Sequence, residues 1–251
     1  MSLVLKNLQK AFGPQKVLQG LDLEIPLGKI TVIIGGSGSG KSVLLKHIVG
    51  LLKPDSGQIL LDGVDVNALG REDLRTLRKK FGFLFQDAAL FDSMDVFDNV
   101  AFPIREHTDF DEKKIAEIVK RKLEQVKLKN IEHKFPAELS GGMRKRVGLA
   151  RATALDPEIV LYDEPTTGLD PITSRAIDDL IVETQLNLNA TSIVISHDIH
   201  STLRIANIIA MLHDGKIVAK GTPKEILDNP NPIIRSFLEP VLSQIQIGSK
   251  G

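Results

Sequence analysis

The stretch "KITVIIGGSGSGKSVLLKHIVGLL", residues 29–52, limits the possible folds of this chain more than any other. An unbroken apolar run leads into a glycine-rich loop, and apolar residues at helical spacing follow. That order reads as a buried parallel strand, a tight loop and an amphipathic helix. Gly35, Gly36, Ser37, Gly38, Ser39, Gly40, Lys41 and Ser42 match the pattern G-x-x-x-x-G-K-[ST]. Glycines let the backbone wrap a phosphate without Cβ clashes, so that several N–H groups point inward. The following helix offers its positive end to the same anion. Lys41 supplies a point charge for the β- and γ-phosphates, and Ser42 a hydroxyl ligand for Mg²⁺.

Other strand ends carry matching chemistry. "EIVLYDE" (158–164) is an apolar strand that ends in two carboxylates. By itself such a pair fits a solvated strand end. Beside a phosphate loop, Asp163 suits the Mg²⁺ shell, through water, and Glu164 suits orienting or deprotonating the attacking water. "VISHD" puts His197 at the end of another apolar strand, where ligands gather in parallel sheets. Gln86 in "FGFLFQD" follows a further apolar strand and is placed to reach the γ-phosphate water or the Mg²⁺. In "LSGGMRKRVGLARA" (139–152), Ser140, Gly141 and Gly142 bare the backbone just before a helix, and Met143 follows them. Arg144, Lys145 and Arg146 either add positive potential there or form a solvated helix face.

The rest of the chain frames these pieces. Residues 3–8 and 17–25 alternate apolar and polar, as half-buried antiparallel strands do. "QILLDG" and "IIAMLHDGKIVAKG" are strands turned at Asp-Gly. Ile115, Ile118, Val119, Leu123 and Val126 fall on one helical face, a second helix is expected near 172–187, and "TPKE" (222–225) reads as a capping box with Pro223 at the first helical position. The expected architecture is an α/β nucleotide-binding core with an antiparallel β subdomain (1–86 and 156–240), a mainly helical insertion (87–155) and a short tail (241–251). Hydrophobic residues make up 42% and charged residues 25%, an ordinary globular balance. Lys plus Arg equals Asp plus Glu at 32 each, so no bulk charge attracts nucleic acid. The absence of cysteine removes disulfides, thiolate metal sites and Cys nucleophiles. No signal peptide is evident, and apolar runs such as "IANIIAML" (205–212) fall far short of the roughly 20 residues that span a bilayer. The expected location is therefore the cytosol, with any membrane role exercised through a partner.

As an ordered set, the phosphate loop, Gln86, 139–143, "IVLYDE", "GLD" (168–170) and His197 resemble the ATPase subunit of an ABC transporter over nearly the whole chain. The resemblance implies a P-loop core with the helical signature subdomain inserted. It also implies an aromatic adenine platform at Phe12 with Val17 nearby, and a head-to-tail homodimer. In that dimer each ATP lies between the phosphate loop of one subunit and "LSGGM" of the other, and Asp170 signals across the interface. Ser140, Gly141, Gly142 and the helix end can meet a phosphate without a glutamine side chain, so "LSGGM" reads as functional. With "DVFDNVAFPIREHT" (95–108), the segment is similar to the ATPases of Mla-type systems, which serve MCE-domain proteins in lipid transport across bacterial envelopes. That likeness implies an integral membrane permease, an MCE-domain partner, a small accessory subunit, attachment to the cytoplasmic face of the inner membrane, and no direct contact with nucleic acid. Phe91, Met94, Val96 and Phe97 would then line a groove for the permease's coupling helix, or else belong to the core. Leu242, Ile245 and Ile247 in the tail either grip the opposite subunit or fray. The other readings are an ABC ATPase serving another substrate and a soluble ABC ATPase without a transport role.

Overall fold

The computed structural model describes residues 3–239, so the tail with Leu242, Ile245 and Ile247 lies outside the described residues. In chain order, β1 (Leu3–Phe12) and β2 (Gln15–Ile25) are followed by β3 (Ile30–Ile34) and α1 (Lys41–Ile48). Next come β4 (Ser56–Leu61), β5 (Val64–Asp65), α2 (Arg71–Arg78) and β6 (Phe81–Leu84). Then follow the helices α3 (Val96–His107), α4 (Glu112–Gln125) and α5 (Gly141–Ala152), and after them β7 (Ile159–Asp163), α6 (Pro171–Leu188) and β8 (Thr191–Ile195). The chain continues through α7 (Ile199–Ile205), β9 (Ile208–His213), β10 (Lys216–Gly221) and α8 (Pro223–Leu227), and residues 232–239 are helical. It divides into two compact units, Met1–Gly70 with Val194–Gly251, and Arg71–Ile193, so the division falls within β8.

In the first unit, β1 and β2 pair antiparallel with Leu3 opposite Ile25 and Leu5 opposite Leu23, and β4 and β5 extend the sheet in the order β2-β1-β4-β5. The alternation expected from the sequence is real: Leu3, Leu5, Leu8, Leu21, Leu23 and Ile25 are buried. β3 is buried at every position and runs parallel to β9, with Val32 opposite Ile209. β10 pairs antiparallel with β9. Both Asp-Gly turns take left-handed dihedrals at both residues, with Asp62 at φ 52 and Gly63 at 80, and Asp214 at 45 and Gly215 at 72. The capping box of α8 forms as expected: the Thr222 N–H donates to Glu225 at 2.7 Å and the Glu225 N–H to the Thr222 hydroxyl at 3.3 Å.

The second unit holds the parallel pair β6 and β7, with Phe81 opposite Ile159 and Leu84 opposite Tyr162. The helical segment expected over 87–155 is present, but the compact unit that contains it is wider and includes α2, β6, β7 and α6. Close approach of α5 to β6 explains this. A Cβ on Gly148 would fall 2.9 Å from Leu84 Cδ1, and one on Gly82 would fall 2.3 Å from the Ala152 carbonyl oxygen. α4 buries Ile115, Ile118, Val119 and Leu123, the face its spacing announced. Two polar devices fix this unit. Asn99 is fully buried, and its amide donates to the carbonyls of Phe91, Met94 and Asp95 while its oxygen accepts the Phe91 N–H. Lys122, also fully buried, reaches Asp156 at 2.5 Å.

Candidate functional site

The phosphate loop joins β3 to α1 within the first unit. Gly40 takes φ 101 as the residue before α1, and a Cβ there would fall 2.9 Å from Val17 Cγ1. Glycine is therefore required by dihedral and by space together. Val17 packs directly on the loop. A Cβ on Gly35 would fall 2.3 Å from the Leu212 carbonyl oxygen, which draws the loop onto β9. Lys41 is 6% exposed, and its ammonium donates to the carbonyls of Gly35 at 3.0 Å and Gly36 at 2.9 Å. The Ser39 hydroxyl is buried with no hydrogen-bond partner. A glycine cradle, a buried ammonium and an orphaned hydroxyl fit the phosphates of a nucleotide. Ser42, the second residue of α1, carries a hard oxygen donor of the kind Mg²⁺ takes. Among the described residues there is no cluster of three or more His, Cys, Asp or Glu that could hold a metal ion.

Phe12 ends β1 with its ring 46% exposed, and the Lys10 ammonium lies 5.5 Å from the ring centroid. Lys10 also pairs with Asp55 at 2.8 Å, which fixes where it stands. His197 lies two residues beyond β8 and is exposed, just ahead of Asp198, which caps α7 by accepting the Ser201 N–H.

The second unit gathers the carboxylates. Asp163 ends β7 and is buried; Glu164 follows at φ 49, in the left-handed region. The Thr167 hydroxyl donates to Glu164 Oε2 at 2.7 Å and fixes the direction of the carboxylate. Gln86 is exposed two residues beyond β6. Lys145 on α5 connects these two strand ends, because its ammonium donates to the Gln86 carbonyl and to the Glu164 carbonyl, the latter at 3.3 Å. Burial pulls its pKa below the usual lysine value, while the charges of Asp87, Glu164 and Asp163 oppose that shift. The suggestion that Lys145 lies on a solvated helix face is wrong. It is 5% exposed, on the same core-facing stripe as Gly142 and Leu149, and that spacing was the available signal. Arg144 is exposed and donates to the Leu139 carbonyl at 2.6 Å, and Arg146 is half-buried. Thr167 carried no signal in the sequence, since its role depends on the turn that returns its hydroxyl to Glu164.

The segment 139–143 also differs from expectation. Gly141 and Gly142 form the first turn of α5 and do not precede it; Ser140 is the cap, its hydroxyl accepting the Met143 N–H at 3.2 Å. Met143 thus contributes through its backbone. Gly142 is required by contact, because a Cβ there would fall 2.5 Å from Thr173 Cγ2 on α6. Asp170 caps α6, accepting the N–H groups of Ile172 and Thr173 at 3.0 Å each. The Thr173 hydroxyl, followed by these N–H groups, holds the Asp170 carboxyl below its ordinary pKa.

In the same unit a cleft of about 440 Å³ is lined by Phe81, Phe83, Phe85, Phe91, Phe102 and Arg151, among others. Phe91 and Phe102 meet at 5.0 Å, and Phe91 is 42% exposed. Val96 does not line it: it is fully buried beneath α3, because it opens the apolar face of that helix. Met94 and Phe97 are half-buried and do not line the cleft.

Residues 18–167 match the family model described as "ABC transporter". The chain is 46% identical to the Haemophilus influenzae "Intermembrane phospholipid transport system ATP-binding protein MlaF" over 93% of its own length and 89% of that protein's. It is 45% identical to the Escherichia coli K12 protein of the same name, over 90% and 84%. It is 43% identical to the Mycobacterium leprae "Probable ribonucleotide transport ATP-binding protein mkl", over 95% of this chain and 69% of that longer protein. Among solved structures, the ATP-binding cassette MJ0796, a dimer in a post-hydrolysis state bound to ADP and Pi, matches with TM-score 0.81 and 31% identity over 88% of this chain and 98% of that one. The Clostridium perfringens cbiO1 cassette, part of the ABC transporter complex cbiONQ, matches with TM-score 0.84 and 30% identity over 99% and 98%.

Proposed function

Because the chain belongs to the ABC transporter family as one of its ATP-hydrolysing cassettes, we propose that it powers a membrane permease that moves phospholipid between envelope membranes. The glycine cradle that buries the Lys41 ammonium carries the ATPase part of this reading. The lipid part is supported by 46% identity across most of a protein named for intermembrane phospholipid transport. The name of the M. leprae relative supports a second cargo, ribonucleotide.

The residue roles are as follows. Phe12 and Val17 receive the base, and the backbone of Gly35, Gly36, Ser37, Gly38, Ser39 and Gly40 with Lys41 holds the phosphates. Ser42 and Gln86, with Asp163 acting through water, would hold Mg²⁺, which supplies charge neutralisation between the β- and γ-phosphates. Glu164 takes a proton from the attacking water as its oxygen bonds to the γ-phosphorus and the bond to the ADP oxygen breaks. His197 donates a hydrogen bond to the γ-phosphate. Two copies of the chain act as a homodimer in which Ser140, Gly141 and Gly142 of one meet the nucleotide held by the other, and Asp170 lies at the shared interface. The aromatic cleft around Phe91 and Phe102 takes the permease. An MCE-domain protein and a small accessory subunit complete the complex on the cytoplasmic face of the inner membrane, with no direct role for nucleic acid.

Glu164→Gln tests this reading. Loss of a positioned base costs ~10²–10⁴-fold in turnover and leaves binding intact, so ATP should trap a closed dimer. Tagged Glu164→Gln protein, isolated from gently solubilised membranes with Mg-ATP, should bring down a permease, an MCE-domain protein and bound phospholipid. A permease with bound ribonucleotide would select the second cargo. Ribosomes or DNA-repair factors without a membrane protein would overturn the transport reading.

A further inference from the structure

We infer that Lys145 is a positioning residue for ATP hydrolysis: its buried ammonium holds the backbone of Gln86 and Glu164 in register. The inference rests on Glu164 being the base. Burying an ammonium is unfavourable unless paired groups replace its water. Here a lysine 5% exposed stands on the core-facing stripe of α5, where an apolar side chain would pack as well. Its ammonium donates to the carbonyl of Gln86, just beyond β6, and to that of Glu164, just beyond β7. The acidic groups that face it are Asp87 from the first of these segments and Asp163 and Glu164 from the second.

The backbone that it grips needs gripping. Glu164 has φ 49, and Ala88 and Ala89, just past Gln86, have φ 61 and 48. Residues other than glycine hold such dihedrals only where their surroundings impose them. Farther along α5, Arg151 donates to the Ala88 carbonyl at 2.7 Å and the Ala89 carbonyl at 2.8 Å. The helix that starts at Ser140 thus fastens segment 86–89 at three carbonyls, and through Lys145 it fastens Glu164 as well. Glu164 and Gln86 are thereby tied to the same helix through one side chain.

The test uses the full chain in its assembled complex. Turnover, KM for Mg-ATP and melting temperature are measured for Lys145→Met, Lys145→Gln and Arg151→Met. Lys145→Met is expected to lower kcat about tenfold or more with KM within about threefold, because the nucleotide cradle is untouched. Lys145→Gln, a neutral donor, should recover part of kcat. Arg151→Met releases the Ala88 and Ala89 carbonyls but leaves Glu164 held, and should lower kcat less than Lys145→Met does. If Lys145→Met kept wild-type kcat, or lost activity with a lowered melting temperature and no recovery in Lys145→Gln, Lys145 would be only a packing residue. Should the methionine variant not fold, Lys145→Gln reads the same split between kcat and KM. Glu164→Gln run beside them separates the two ideas: retained turnover there removes the base assignment, whereas an inactive Glu164→Gln with normal Lys145 variants removes only this inference.

Discussion

Gly142→Ala turns a single contact distance into a stability measurement. Gly142 lies in the first turn of α5, where alanine by propensity favours the helix by up to ~1 kcal/mol. The new Cβ, however, would fall 2.5 Å from Thr173 Cγ2, well inside van der Waals contact, with the Thr173 Cβ next at 3.9 Å. Forcing one methyl into packed space costs ~1–3 kcal/mol, so the single variant should be destabilised by ~0–2 kcal/mol. Thr173→Ser removes only the offending methyl and keeps the hydroxyl that supports Asp170. In that background the nearest atom lies at ordinary contact distance, and Gly142→Ala should stabilise by as much as ~1 kcal/mol. The same substitution therefore changes sign between backgrounds, with a coupling of ~1–3 kcal/mol. Equilibrium denaturation of the purified wild type, both single variants and the double variant reads this without reference to ATP. Equal effects of Gly142→Ala in both backgrounds would refute the contact between α5 and α6 as the reason glycine stands there.

Lys41→Ala should abolish productive ATP binding by removing the phosphate counter-charge; normal nucleotide affinity by titration calorimetry would remove the cradle assignment. Met143→Gln should leave turnover within about an order of magnitude, because Met143 joins the α5 cap through its backbone N–H and the proposed phosphate contact does not use its side chain; a complete loss of ATPase activity would show that the methionine side chain makes a necessary contact. Asp156→Asn should cost ~1–3 kcal/mol, since it takes the ionised partner from a fully buried Lys122. Burial already holds the Lys122 pKa below the usual lysine value. In the alkaline window between the folded and unfolded values the unfolded chain binds more protons, so stability rises with pH there. Asp156→Asn should widen that window toward lower pH, and denaturation midpoints measured at alkaline pH that stay flat for both proteins would contradict it.

The nucleotide half of the site was legible because its chemistry depends on local order. A glycine loop must follow a strand and precede a helix, and residues 29–52 carry all three signals without a break. Asp163 and Glu164 at the end of β7, and His197 one residue past Ser196 after β8, stood out as candidates for the same reason, as polar residues at the ends of mainly apolar strands. The basic trio after Met143 was not. The sequence shows three adjacent charges, and adjacency along a helix sends Arg144, Lys145 and Arg146 in different directions. Val96 belongs to the core, one of the two readings its sequence allowed, because an apolar residue at the start of a helix does not by itself say which side meets the core.

The sequence alone determined the order of strand, loop and helix, the phosphate cradle, the turns at Asp62–Gly63 and Asp214–Gly215, and the capping box at Thr222. Each of these depends on neighbours a few residues apart, whose preferred dihedrals and hydrogen bonds are fixed by residue type. Only the tertiary structure decided that Gly142 must be glycine, that Thr167 aims Glu164, and that Lys145 is buried against Gln86 and Glu164. The Thr167 contact depends on the turn after β7; the other two depend on which surfaces meet when α5 packs on its neighbours, and the partners there are many residues apart along the chain.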